Sequence, residues 1–213
     1  RDVHLISATL NGESLDVDAY NTTLSASGET GENGLLLPSL AAHNTIDIDA
    51  WCHYSTTGEG LHRAVDAADG TVYLYSQCEP ADSKRVFACF DQPDLKAPID
   101  LTVTAPAGWE IISNSSIATS TPAESPIYAD VDAVTHHFQV TNPLCPYVFA
   151  LCAGPYHRWS DTYHWHGDDG REITIPLNLY CRETLAPYFD PDNIFALTKG
   201  GFDYYHRTFG ILY

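Results

Sequence analysis

Residues 71–98 read TVYLYSQCEPADSKRVFACFDQPDLKAP, and the opening of that stretch decides the fold class. Along an extended chain Val72, Leu74, Ser76 and Cys78 face one way, while Tyr73, Tyr75, Gln77 and Glu79 face the other. Two aromatics leading to an amide and a carboxylate make a polar tip on an aromatic wall. A carboxylate and a side-chain carbonyl are both acceptors and can share the three donors of an ammonium group. Pattern alone fits the outer face of an ordinary surface strand at least as well. Pro80 breaks the strand, and residues 81–88 are expected to form a short helix that Asp82 helps to start. Lys84 and Arg85 are expected to pair with Asp91 or Asp94.

The same period of two extends outward in both directions. Residues 45–54 (TIDIDAWCHY) put Ile46, Ile48, Ala50 and Cys52 on one face and Asp47, Asp49, Trp51 and His53 on the other. His4 to Leu10 ends in an Asn11-Gly12 turn, and Leu15 to Tyr20 alternates apolar and acidic residues. Further strands are predicted at 71–77, 99–105, 109–114, 134–141, 147–153 and 173–180, with Gly, Pro, Asn and Asp between them. This spacing predicts antiparallel sheets packed on each other, a β-sandwich or saddle, rather than alternating β-α units. Thr119 to Pro126 reads as a polar loop. After Arg182 the period changes. Asp190-Pro191 starts a helix with Asp192 in its first turn, and Ile194, Phe195, Leu197, Thr198, Gly201, Phe202, Tyr205 and Phe209 recur on one face before Gly210. The expected domains are 1–170, a β domain, and 171–213, the start of a second one whose absence leaves the helix stripe partly uncovered.

Composition narrows the function. With 28 acidic against 10 basic residues the formal charge is −18, which repels phosphate backbones and argues against nucleic acid as a partner. No apolar run approaches the roughly 20 residues of a spanning helix, so no membrane partner is expected. The chain contains no methionine and starts at Arg1 inside an alternating pattern, which predicts a piece of a longer protein. Six cysteines without a Cys-x-x-Cys pair read as buried free thiols of a cytoplasmic protein. His136-His137 and His164-Trp165-His166 read as ordinary histidines, because a metal site needs a third ligand and no His-Glu-x-x-His is present. There is no Gly-x-Ser-x-Gly elbow, no phosphate loop, and Cys89 has apolar neighbours that keep a thiol protonated. Neither a catalytic residue nor a metal ligand is assigned.

The run from Tyr73 to Ala97, with Cys89-Phe90-Asp91-Gln92-Pro93 at its centre, resembles the N-terminal domain of the aminopeptidase N family of zinc metallopeptidases, in its bacterial cytosolic form. Residues 57–63 (TGEGLHR), 104–109 (TAPAGW) and 113–115 (SNS) extend the similarity, and 175–180 (IPLNLY) with the following helix resembles the opening of that family's catalytic domain. The resemblance implies a β saddle or sandwich lying over a truncated thermolysin-like domain. It also implies that Gln77 and Glu79 correspond to the Gln or Glu pair that helps to hold a peptide substrate's free α-amine. Zinc, the general base and the Gly-x-Met-Glu-Asn segment would then lie outside this chain, in its own catalytic domain, so the chain alone is expected to be inactive. The alternative is a stand-alone β-sandwich that binds peptides or proteins without catalysis. A free module should bury or lack the stripe from Ile194 to Phe209.

Overall fold

The computed structural model describes residues 3–21, 35, 37–125, 127, 130–167 and 170–213. Among the described residues twelve strands form four antiparallel sheets: β1 (Val3–Leu10), β2 (Glu13–Ser14) and β3 (Ile46–Cys52) in the order β2-β1-β3; β4 (Gly60–Val65), β5 (Val72–Gln77), β7 (Glu110–Ser113) and β10 (Leu151–Gly154) in the order β4-β5-β10-β7; β6 (Thr102–Pro106), β8 (Ile117–Glu124) and β9 (Asp132–Phe138) in the order β6-β9-β8; and the hairpin of β11 (Tyr156–His166) and β12 (Glu172–Arg182). One long helix, Pro191–Phe209, follows. The architecture is mostly β and antiparallel with a C-terminal helix, as the alternation predicts.

The second and third sheets make a sandwich. Leu74, Ile111 and Ala153 from one meet Ala105 and Phe138 from the other, with Leu61, Val103, Trp109 and Leu151 at the margins. Burial of this apolar surface is the main stabilising term of the sandwich. The β1–β3 sheet turns its apolar face, Leu5, Ile46, Ile48 and Ala50, towards Phe87, Leu95 and Pro98 across an open cavity of about 780 Å³. That is why Ile48 stays 36% exposed despite its clean alternation.

Local sequence explains the ends of the elements. Asn11 and Gly12 take φ values of 53° and 84°, the pair of positive angles that a tight two-residue hairpin needs between β1 and β2. Asp190 caps the long helix by accepting from the Asn193 amide at 3.2 Å, Pro191 occupies the first turn, and Gly210 ends it at φ 66°.

Several expectations are corrected. Residues 17–21 are helical rather than extended, because Asp16 Oδ1 accepts from the Ala19 amide at 3.0 Å and caps the turn. Of the predicted loop Thr119 to Pro126, residues 119–124 lie in β8, an edge strand exposed on both faces except for half-buried Ala123, where Pro122 is tolerated because an edge residue need not donate, and Pro126 lies outside the described residues. Only Ser83–Arg85 of the predicted helix 81–88 is helical, as a short 3-10 turn, and Asp82 makes no side-chain cap. On the C-terminal helix the covered line is Phe195, Phe202 and His206. Tyr163 sets that choice by stacking on Phe202 at 5.1 Å and donating to Asp203 at 2.8 Å. Leu197, Tyr205 and Phe209 lie on the open side at 69%, 58% and 62% exposure. The six cysteines are free thiols, but only Cys78 and Cys181 are buried.

Asp66 fastens the β4–β5 turn to the segment after β12. Its carboxylate accepts from Thr184 Oγ1 at 2.6 Å and from the Ala68 amide at 2.9 Å. The Thr184 hydrogen bond, followed by that from Ala68, holds the Asp66 carboxyl below its ordinary range. A depressed folded-state pKa stabilises the fold above the unfolded value near 3.9, and that contribution is lost as pH falls through the folded value. Thr184→Val is therefore expected to shrink the drop in urea midpoint between pH 7 and pH 3. An unchanged drop would show that Asp66 carries none of the acid sensitivity.

Candidate functional site

The site grows from the end of β5. That strand is interior to its sheet, between β4 and β10, so both of its edges are paired, and Tyr73 and Leu74, on its opposite faces, are both buried near its start. Tyr73 is 1% exposed and packs on Tyr156 at 4.8 Å between ring centroids, and its hydroxyl accepts from the Glu183 amide at 3.1 Å. Tyr73 therefore does not lie on the outer face of a surface strand, the reading that pattern alone allows. Burial pushes the Tyr156 hydroxyl up to about 12, so it remains protonated and donates to the Leu74 carbonyl at 3.1 Å. Tyr75 is half-buried against His62 at 4.8 Å, and Gln77 emerges into solvent. The face thus runs from core to open surface within three side chains.

Gln77 and Glu79 come together at that open end. Gln77 pairs across the sheet with Gly60, the first residue of β4. Its Nε2 donates to the Glu79 carbonyl at 3.3 Å, which leaves Oε1 directed away as an acceptor. Glu79 lies in the turn beyond the strand, next to a cis Glu79-Pro80 peptide bond, and is exposed. Among the described residues its carboxylate takes no hydrogen bond or ion pair. Between them Cys78 is buried at 1% exposure, and its carbonyl accepts from the Asp82 amide at 2.8 Å, closing the turn. Below the turn, Ser76 Oγ accepts from the Leu151 amide at 2.8 Å and ties β5 to β10.

The expected basic pairing is different in the structure. Arg85 Nη1 meets Glu59 Oε2 at 2.9 Å and its Nε meets Asp82 Oδ1 at 3.0 Å, whereas Lys84 contributes only its backbone amide to Asp91, at 3.1 Å. Glu59 was legible as a residue but not as a neighbour, because its place depends on the Gly60–Gln77 register. The Arg85 guanidinium is thus shared by two carboxylates, Glu59 and Asp82, and Glu79 stands in the same turn with no ion pair among the described residues. Burial also pushes the Cys89 thiol up to about 11, the protonated and unreactive state its apolar neighbours imply.

The histidine pairs are used within the sheets. His136 and His137 point to opposite sides, His136 to Ser120 at 2.8 Å and His137 to Thr102 at 2.9 Å. His164 meets Thr174 at 3.1 Å and His166 meets Glu172 at 3.3 Å. Among the described residues no three His, Cys, Asp or Glu side chains gather as a metal set, so the residues present do not fit a zinc ion. Nor is any helix among the described residues long and apolar enough to cross a membrane.

Comparison with known proteins bears on this geometry. The family model of the Peptidase M1 N-terminal domain matches residues 15–148. The chain is 39% identical over 206 residues to aminopeptidase N of Streptomyces lividans, covering 96% of this chain and 21% of that protein. It is 25% identical over 171 residues to glutamyl aminopeptidase of Homo sapiens, covering 79% of this chain and 16% of that one. The solved structure of Legionella pneumophila aminopeptidase A in complex with aspartic acid superposes with a TM-score of 0.73 at 22% identity, covering 100% of this chain and 22% of that chain, which speaks to the fold. The chain spans about a fifth of the length of these relatives.

Proposed function

Since the chain belongs to the M1 peptidase family and carries its N-terminal domain, we propose that it is part of a zinc aminopeptidase and supplies acceptors for a peptide substrate's free α-amine. The observation that carries this reading is the pair of acceptors at the end of β5: the Glu79 carboxylate, without a partner among the described residues, and Gln77 Oε1, presented on a turn anchored to an interior strand. An α-ammonium group brings three donors, and two fixed acceptors meet it only when the chain terminus lies at one distance from the scissile bond. An exopeptidase needs such a ruler. Charge-assisted contacts also favour a free ammonium over an acylated amine, which lacks the charge.

Residues 1–170 act as the recognition domain and 171–213 as the opening of the catalytic domain, the two joined through the β11–β12 hairpin. The partners are a peptide with a free amino terminus and the chain's own catalytic domain, the latter covering the open side of the C-terminal helix at Leu197, Tyr205 and Phe209. Neither nucleic acid nor membrane is a partner in this reading, and six free thiols suit the cytoplasm. Zinc and the hydrolytic residues belong to the rest of the enzyme in this reading. Metal analysis of the purified 213-residue chain is expected to find no tightly bound zinc, and an amino-acyl anilide should not be cleaved by it. One tight zinc per chain, or turnover, would overturn this division of labour.

A further inference from the structure

We infer that Arg85 is a positioning residue for amine recognition, clamping the turn that presents Gln77 and Glu79. The inference rests on the reading of those two residues as amine acceptors. Arg85 reaches both flanks of the turn. Its Nη1 holds Glu59 at 2.9 Å, and Glu59 immediately precedes Gly60, the register partner of Gln77. Its Nε holds Asp82 at 3.0 Å, and the Asp82 amide in turn donates to the Cys78 carbonyl at 2.8 Å, between the two acceptors. One planar group therefore spans from the strand beside Gln77 to the turn beyond Glu79.

The stem of Arg85 is packed as closely as its head. A Cβ placed on Gly60 would lie 3.2 Å from Arg85 Cβ, so the missing side chain at Gly60, whose φ is +64°, is what lets the arginine lie against the start of β4. Lysine cannot reproduce the contact, since a point charge on a flexible stem does not offer two donors in a fixed fork. Two opposite effects follow from removing Arg85. The turn loses its clamp, and the carboxylates of Glu59 and Asp82 lose their cation, which leaves the surface around the turn more negative. A looser turn weakens binding of an ammonium group, whereas a more negative surface strengthens it. Their signs separate a positioning role from a merely electrostatic one.

The test uses the full-length enzyme that carries this chain and measures kcat and KM for an amino-acyl p-nitroanilide in Arg85→Ala, Arg85→Lys, Glu59→Gln, Glu79→Ala and the Glu79→Ala/Arg85→Ala double variant. Arg85→Ala is expected to raise KM by about tenfold, within the range for groups coupled in one hydrogen-bond network, and to leave kcat within about twofold. Arg85→Lys should not restore KM. Glu59→Gln weakens one leg of the clamp and also removes a negative charge, and either change raises KM, so an unchanged KM counts against the clamp. Arg85→Lys, which keeps the charge and loses the fork, stands in for Arg85→Ala if that variant does not fold. The double variant should be no worse than Glu79→Ala alone. If Glu79→Ala raises KM but Arg85→Ala and Glu59→Gln leave it unchanged or lower it, or if the Arg85 effect adds in full to that of Glu79, the clamp is wrong and the amine site stands. If Glu79→Ala itself leaves KM unchanged, the amine reading fails, and the inference with it.

Discussion

Replacing Glu79 by alanine in the full-length enzyme is expected to raise KM for an amino-acyl anilide by about 10- to 150-fold, the equivalent of the roughly 1.5–3 kcal/mol carried by a hydrogen bond to a charged group. The effect should fall on KM more than on kcat, because the ammonium group is held equally in the ground state and the transition state and takes no part in bond breaking. Folding should be unaffected, since the side chain is exposed and bonded to no described residue. Gln77→Ala is expected to act in the same direction and less strongly, as it removes a neutral acceptor. Kinetics of Glu79→Ala that match the parent would refute the assignment.

Phe138→Ala is expected to cost the chain about 3–5 kcal/mol of folding stability, the range for truncating a buried aromatic. Phe138 is 4% exposed at the end of β9, facing Leu74, Ile111 and Ala153 of the opposite sheet across Ala105. Small residues at 105 and 153 leave little material that could collapse into the void, so the cavity term adds to the lost transfer energy. Urea unfolding of the two proteins, compared at constant slope, measures the difference. A loss below about 1 kcal/mol would mean that the two sheets do not share this core.

The sequence reveals only some of the strands that bury one face: β4 and β11 are not among those predicted. β1 and β3 alternate and are found almost to their ends, and β12 is found with its apolar Ile173, Ile175, Leu177 and Leu179 in step. β8 leaves no such trace because neither of its faces packs, so nothing constrains Thr119, Ser120 and Thr121 to alternate. The helix between Pro191 and Gly210 is legible from its caps, yet the stripe is read one line off, since Tyr163 and Trp165 draw a histidine, His206, into the covered face. At the site, strand parity ends with β5 at Gln77, and Glu79 lies in the turn beyond, linked to Gln77 through its backbone carbonyl; the burial of Tyr73 further back depends on β10, β11 and the segment after β12. The Glu59–Arg85–Asp82 link depends on pairing between β4 and β5, a long-range fact that spacing along the chain does not encode.

The most direct test of the amine contact compares two inhibitors of the full-length enzyme, an amino acid hydroxamate and its des-amino counterpart, on the parent and on Glu79→Ala. The pair differs only in the ammonium group. The account predicts that Glu79→Ala weakens the amine-bearing inhibitor by the same factor by which it raises KM and leaves the des-amino inhibitor unchanged. Equal changes in the two inhibition constants, or none in either, would contradict the claim that Glu79 holds the substrate's amino terminus.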